Sequence, residues 1–330
     1  MKITVFGDGA WGTALALTLL DNGHDVSIWG AFPEYLEEMR ARKENFKFLP
    51  GVVLPDTLGF ESDAESAVRN CDIILLATPT QFLRSVLKKM HNAVAPGRLV
   101  VNVAKGIEKE SFMLISEIVK QELGFVTFVD LSGPSHAEEV ARKVPTAVVA
   151  ASNSEEAAKT IQKLFMNENF RVYTSSDVIG VELGGALKNV MAIAAGVIDG
   201  MQLGDNPKAA FMTRAISEMA RLGELLGGRQ STFAGLSGIG DLIVTCTSGH
   251  SRNRHVGEEL GRGKKLKVIL EEMGMVVAEG VATSPGAYTL ARRVNATTPL
   301  IDSIYNILYN DLPALSALKE LMTREAKSED

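Results

Sequence analysis

The spacing Gly7-Asp8-Gly9-Ala10-Trp11-Gly12 limits what this chain can fold into more than any other stretch. It follows a short apolar run, Ile3-Thr4-Val5-Phe6, and precedes residues 13–20, which read as a buried helix. A G-x-G-x-x-G pattern is informative when it sits between a strand and a helix. Each glycine has its own task. Gly7 permits a tight turn, Gly9 lets the backbone approach a pyrophosphate, and Gly12 lets the helix pack close to the strand. The helix start then offers unpaired N–H groups and a partial positive charge to phosphates. The stretch predicts a dinucleotide-binding βα unit; the alternative is a glycine-rich turn without a ligand.

The first half of the chain repeats strand and helix in alternation. Gly23 caps the first helix, and Val26-Ser27-Ile28-Trp29 is a second strand. Helices are predicted over 33–42, 64–69, 81–91, 136–142 and 155–165, with Pro33 at a first helical position. Residues 45–56 read as a loop broken by Pro50-Gly51 and Pro55. Continuous apolar runs at 73–77, 99–103 and 125–131 suit strands buried on both faces of a parallel sheet, and 147–151 and 170–174 are further strands. The pattern predicts an α/β fold with a Rossmann-type, doubly wound, mostly parallel sheet. Ligands bind such sheets at the carboxyl ends of the strands, which singles out the loops at 7–12, 78–82, 105–106 and 133–135.

Strand signals fade near Asp177. Helices are predicted over 177–199, 207–226 with Asn206 as N-cap, 241–246, 255–262, 266–273, 279–294, 300–310 and 314–327, with a glycine-rich turn at 235–240 and a frayed tail at 327–330. With 330 residues, the chain divides into a dinucleotide-binding domain over 1–180 and an all-α domain over 181–330.

The bulk numbers exclude several classes. A net charge of -6 argues against general nucleic-acid binding, which needs a basic surface. Two cysteines, Cys71 and Cys246, lie far apart and outside any metal-ligand spacing, so neither a disulfide framework nor a metal site is expected. The N-terminus enters its strand without the apolar core of a signal peptide. The apolar run 190–198 is too short to span a bilayer, so no membrane insertion is expected and a cytoplasmic location fits.

Three stretches carry chemistry. Lys188 is a lone cation in a long apolar, small-residue run. Burial would lower its pKa from about 10.4 toward the range of a general acid or base. The alternative is a lysine that snorkels to solvent. Lys105 follows a buried strand, where it either meets a phosphate or carbonyl or is a solvated loop lysine. Ser251-Arg252-Asn253 combines hydroxyl, guanidinium and amide donors at a predicted helix start, a good grip for a phosphate, with an exposed basic loop as the alternative.

These pieces occur in a telling order: the fingerprint with Trp11, Pro79-Thr80-Gln81-Phe82, Ala104-Lys105-Gly106, Leu131-Ser132-Gly133-Pro134-Ser135, Gly185-Ala186-Leu187-Lys188-Asn189, Gly240-Asp241-Leu242, Ser251-Arg252-Asn253 and Ala278-Glu279-Gly280. From residue 1 to about 310 the chain resembles the NAD(P)-dependent glycerol-3-phosphate dehydrogenases. The resemblance implies interconversion of dihydroxyacetone phosphate and sn-glycerol 3-phosphate with a nicotinamide cofactor, in bacteria as a supply for phospholipid synthesis. It implies that Lys188 is the proton donor and acceptor. It implies substrate contacts at Lys105, Gly133, Ser135, Asp241, Ser251, Arg252 and Asn253. Cofactor contacts are implied at Ala10, Trp11, Phe82, Lys105, Ala137, Arg252, Val277 and Glu279, beside Gly7, Gly9 and Gly12 of the fingerprint. Ala31 stands where bacterial members often carry His or Arg, and no acid ends the second strand. The choice between NAD and NADP stays open, with a lean to NAD. A homodimer is the expected assembly, although the small-residue helices suit an internal core equally. Two rival readings are a 6-phosphogluconate or 3-hydroxyacid dehydrogenase and a nicotinamide-sensing protein without catalysis. The first typically sets its active Lys and Asn a helical turn apart, whereas Lys188 and Asn189 are adjacent.

Overall fold

A computed structural model describes residues 1–274, 277–326 and 328–329. Eight strands form one sheet: β1 (Lys2–Phe6), β2 (Asp25–Trp29), β3 (Gly59–Glu61), β4 (Ile73–Leu76), β5 (Leu99–Asn102), β6 (Thr127–Ser132), β7 (Thr146–Ala151) and β8 (Phe170–Ser175). Their order across the sheet is β3-β2-β1-β4-β5-β6-β7-β8. The order reverses between β1 and β4, so a crevice opens where the loops after these strands part. The helices of this half are α1 (Ala10–Asp21), α2 (Pro33–Arg42), α3 (Ala64–Arg69), α4 (Thr80–Met90), α5 (Ile115–Leu123), α6 (Ala137–Ala141) and α7 (Glu155–Phe165). Alternation along the strands feeds both faces: Ile73 and Leu75 pack in the core with α1 and α7, Ile74 and Leu76 with α3, α4 and α5. The mostly parallel doubly wound sheet is as the sequence predicts.

The last two strands run the other way. β7 is antiparallel to β6, and β8 is again parallel to β7. The only helix between β6 and β7 is the five-residue α6. At about 1.5 Å per residue it is too short to carry the chain back along a strand of roughly 20 Å. The chain therefore turns back beside the carboxyl end of β6.

The second half is helical: α8 (Val178–Gly200), α9 (Asp205–Leu225), α10 (Gln230–Phe233), α11 (Asp241–Thr247), α12 (Arg252–Gly261), α13 (Leu266–Met273), α14 (Glu279–Arg293), α15 (Pro299–Tyr309) and α16 (Ala314–Met322). α8 is its axis. Asp177 caps the helix, its Oδ1 accepting from the Gly180 N–H at 2.9 Å. α8 has the length and hydropathy of a membrane-spanning helix, longer than the 190–198 run suggests, but 89% of that apolar window is buried inside the protein. α12 crosses it at very close range. A Cβ on Gly257 would lie 1.8 Å from the Ile193 carbonyl oxygen, so only glycine fits this crossing. The small-residue helices thus form an internal core.

Several boundaries differ from expectation. α9 starts at Asp205 behind Gly204, whose φ of 89 only glycine adopts easily, so Asn206 is not its cap. α12 starts at Arg252, not His255, because the Ser251 side chain caps it by accepting from the Arg254 N–H. The turn at 235–240 contains a π-helical turn, Leu236–Gly240, that runs directly into α11. β3, α5 and α10 have no counterpart in the sequence reading. α16 ends at Met322 rather than continuing to Lys327. Lys327 and Asp330 of the expected frayed tail lie outside the described residues. Cys71 and Cys246 are both buried and form no disulfide.

Candidate active site

The glycine loop joins β1 to α1 at the crevice. Gly7 has a φ of +136, and a Cβ there would meet the Ala77 carbonyl at 2.7 Å. A Cβ on Gly12 would lie 2.3 Å from the Gly7 carbonyl oxygen, whereas one on Gly9 would meet nothing within 4 Å. Gly12 therefore closes the loop on itself, Gly7 lets it pack against the backbone just after β4, and Gly9 faces open space at the helix start. Asn45 pins the loop from outside: its Nδ2 donates to the Asp8 carbonyl at 2.8 Å and to Thr13 Oγ1 at 2.7 Å. Asn45 falls in the loop predicted over 45–56, and no local pattern marks it.

Beside the crevice, three charged side chains meet. Lys188 projects from the middle of α8 and is 7% exposed, which rules out the snorkelling alternative. Its Nζ donates to Asp241 Oδ1 and to Thr245 Oγ1, both at 2.8 Å. Lys105 Nζ donates to Asp241 Oδ2 at 2.7 Å and to the Gly133 carbonyl at 2.8 Å. Lys105 is thus no solvated loop lysine; its side chain is 14% exposed. Burial pulls the Lys188 ammonium down to about 8, partly opposed by the Asp241 carboxylate and reinforced by Lys105. Burial pushes Asp241 the other way, but the two ammonium groups outweigh it and hold its carboxyl below the usual range.

A chain of amides braces this cluster. Asn189 Nδ2 donates to the Lys105 carbonyl at 3.0 Å, and Asn253 Nδ2 donates to Asn189 Oδ1 at 2.9 Å. Asn253 Oδ1 accepts from the Gly280 N–H at 2.9 Å. Behind Lys105, Asn102 holds the backbone of Ala104 through both its amide atoms, and Nδ2 also donates to Asp130 Oδ1 at 2.5 Å. Asn102 and Asp130 are register partners on β5 and β6, so the bond ties the Lys105 loop to the Gly133 loop. Thr245, Asn102 and Asp130 escaped the sequence reading. Thr245 alone had a signal, one helical turn after Asp241.

The other sequence candidates lie around this centre. Ser135 Oγ donates to the Gly133 carbonyl at 2.9 Å, beside the Lys105 ammonium. Ala137 is buried at the start of α6. Glu279 opens α14 and reaches the other domain, its Oε1 accepting from the Thr80 N–H at 3.0 Å. Burial lifts its carboxyl to about 7. Val277 is half-buried just before α14. Arg252 is exposed at the first position of α12, and its charge bears on Glu279. Ala31, two residues past the end of β2, and Phe82, in the first turn of α4, are exposed. Lys105, Lys188, Asp241, Gly133 and Ser135 are therefore one hydrogen-bonded group, with Asn253 linked through Asn189; Ala31 and Phe82 stand apart from it.

The crevice also fits a polar ligand. Trp11 Nε1, Thr80 Oγ1 and Glu279 Oε2 are buried side-chain atoms without a hydrogen-bond partner. Buried polar groups are rarely left unpaired, and these come from the three segments that also carry the glycine loop, the Thr80 loop and the start of α14.

Comparison with known proteins agrees over nearly the whole chain. The family model described as NAD-dependent glycerol-3-phosphate dehydrogenase N-terminus matches residues 2–158, and its C-terminal counterpart matches residues 177–319. The chain belongs to the NAD-dependent glycerol-3-phosphate dehydrogenase family. It is 49% identical to glycerol-3-phosphate dehydrogenase [NAD(P)+] of Bacillus cytotoxicus over 99% of this chain and 97% of that protein. It is likewise 49% identical to the Bacillus pumilus protein of the same description over 98% of this chain and 94% of the relative. The crystal structure of glycerol-3-phosphate dehydrogenase from Coxiella burnetii superposes with a TM-score of 0.94 at 37% identity, covering 98% of this chain and 99% of that one. The chain is accordingly an NAD(P)-dependent oxidoreductase of this family, and both rival readings fall.

Proposed function

We propose that this chain interconverts dihydroxyacetone phosphate and sn-glycerol 3-phosphate through Lys188 as proton donor and acceptor. The reaction is that of the family. The observation that carries the assignment of Lys188 is its buried ammonium, held by Asp241 and Thr245 and drawn down to about 8. An ammonium has three donors. Two are engaged, and the third has no partner among the described residues. That donor serves the substrate's C2 oxygen. A group with a pKa near the working pH both gives and takes a proton readily. Lys105, joined to Lys188 through Asp241, adds positive charge where an alkoxide develops, and a preorganised charge in a dry site stabilises it strongly.

The nicotinamide cofactor supplies the hydride in reduction and accepts it in oxidation. Gly7, Gly9, Ala10, Trp11 and Gly12 would hold its pyrophosphate, with Ala31, Phe82, Lys105, Ala137, Arg252, Val277 and Glu279 around the remainder. Arg252 would grip the substrate phosphate with Ser251 and Asn253. Asn253 uses one amide N–H on Asn189, which leaves the second for a ligand. Gly133 and Ser135 would line the substrate beside Lys105. NAD(H) is the cofactor we favour, because Ala31 brings no cation to the end of β2.

We read residues 1–180 as the cofactor domain and 181–330 as the substrate domain, the protein as cytoplasmic, and its product as a supply for phospholipid synthesis. A homodimer is supported by apolar side chains left exposed on the helical half, among them Ile243 and Leu315. Light scattering on the purified protein tests that assembly. The decisive experiment for the function follows NADH and NADPH oxidation in parallel. Oxidation that starts only when dihydroxyacetone phosphate is added supports the reading; none on addition, with either cofactor, overturns it.

A further inference from the structure

In dinucleotide-binding folds an acid at the end of the second strand accepts hydrogen bonds from the adenosine ribose. This chain has Gly30-Ala31-Phe32 there. An acid reaches the same place from another segment. Asp8, between the first two glycines of the loop, stands against the end of β2: a Cβ on Gly30 would lie 2.7 Å from Asp8 Oδ2 and 2.8 Å from a methyl of Leu36. A larger residue at 30 would displace the carboxylate. That Oδ2 atom is buried and has no hydrogen-bond partner.

The carboxylate is held on a fixed backbone. The Asp8 carbonyl accepts from Asn45 Nδ2, and Asn45, which is fully buried, also accepts from the Tyr35 hydroxyl at 2.6 Å. The charged group that favours ionised Asp8 is Lys47, whose ammonium lies 4.4 Å from the Tyr35 ring centroid. Burial opposes it and lifts the Asp8 carboxyl above its usual range. An acceptor oxygen that is desolvated, unpaired and fixed at the end of β2 matches a ribose hydroxyl.

We propose that Asp8 takes the place of the missing acid, accepting from the ribose of the cofactor's adenosine half and selecting NAD(H) against NADP(H). A 2′-phosphate there would bring about −1.5 to −2 charges against a carboxylate in a partly desolvated site, where like charges repel strongly. Ala31 and Phe32 offer no cation to compensate, and Lys47, whose charge bears on Asp8, packs its ammonium over the Tyr35 ring. The proposal rests on the reading of the glycine loop as the dinucleotide site.

The test is binding, apart from turnover. Dissociation constants for NADH, NADPH, ADP-ribose and 2′-phospho-ADP-ribose are measured by calorimetry on the wild type, Asp8→Ala and Asp8→Asn. The wild type is expected to bind NADH at least about tenfold tighter than NADPH, the worth of one charge-assisted hydrogen bond. Asp8→Ala should weaken NADH and ADP-ribose by about tenfold and leave the 2′-phosphorylated pair unchanged or tighter. Asp8→Asn keeps the shape and an acceptor oxygen without the charge. It should hold NADH within about threefold while NADPH gains. Equal losses for both members of each pair would make Asp8 a structural part of the loop and overturn the proposal, as would no change in either. A wild type that binds none of the four ligands would overturn the dinucleotide site itself, a different failure from an unchanged ratio.

Discussion

The glycine loop is made by six consecutive residues and works through its backbone. The cluster of Lys105, Lys188 and Asp241 is made by three side chains from distant parts of the chain and works through charge. The loop needs little from the rest of the protein beyond β1, α1, the backbone after β4 and the Asn45 clamp. The cluster exists only because β5, α8 and α11 come together. A backbone device should therefore fail by sterics, and a charge device by the loss of one proton-carrying or charge-balancing group.

The largest effect expected is on the charge side. Lys188→Ala should lower kcat by about 10²–10⁴-fold, the usual weight of general acid–base catalysis. Cofactor affinity, measured by calorimetry, should stay within about twofold, because the loop is built elsewhere. A variant that turns over like the wild type would remove Lys188 from the mechanism.

The loop should break differently at its two later glycines. Gly12→Ala drives a Cβ to 2.3 Å from the Gly7 carbonyl. Overpacking of that kind costs about 1–3 kcal/mol or more, read as a lowered Tm in a thermal melt. Gly9→Ala meets no atom within 4 Å, so the Tm should hold while dinucleotide affinity falls. Equal stability losses at both positions would erase the distinction between closing the loop and facing the ligand.

Arg252→Ala should raise KM for dihydroxyacetone phosphate by about tenfold or more with kcat changed far less, since one charge-assisted contact is worth about 1.5–3 kcal/mol. An unchanged KM would place the phosphate elsewhere.

The smallest effect sharpens the comparison most. With Lys188 in its proposed role, reduction needs its ammonium form, so the rate should fall as pH rises through about 8. Oxidation needs the neutral amine, so its rate should rise through the same value. Asp241→Asn removes a carboxylate that holds the proton on Lys188, and should move both limbs to lower pH. Steady-state rates across pH 6 to 10, corrected for the cofactor's own stability, check this (about 2 units either side of that pKa). Limbs that stay in place would show that another group titrates.

Much of this was legible in the residues. Apolar runs such as Ile73-Ile74-Leu75-Leu76 announce a strand buried on both faces, and the alternation with helices announces a parallel sheet. Lys188 was visible as a lone cation in an apolar run, but its fate was not. Whether such a lysine is buried or reaches solvent depends on what packs against it, here α11 with Asp241 and Thr245. Asn45, Asn102 and Asp130 carried no signal, since an amide's partners are fixed by strands and loops far away in sequence. The antiparallel β7 was hidden for another reason: strand direction depends on how far the connecting segment reaches, and α6 reaches little.

The sequence by itself determined the glycine turn, the sheet that follows from it, and the family of the chain, because local sterics and short-range periodicity set these. Only the tertiary structure decided that Lys105 and Lys188 share one carboxylate, that burial draws Lys188 down to about 8, and that Asp8 lies beside the end of β2. Charge and desolvation act through space, and the distances that set them arise only once the two halves of the chain are packed together.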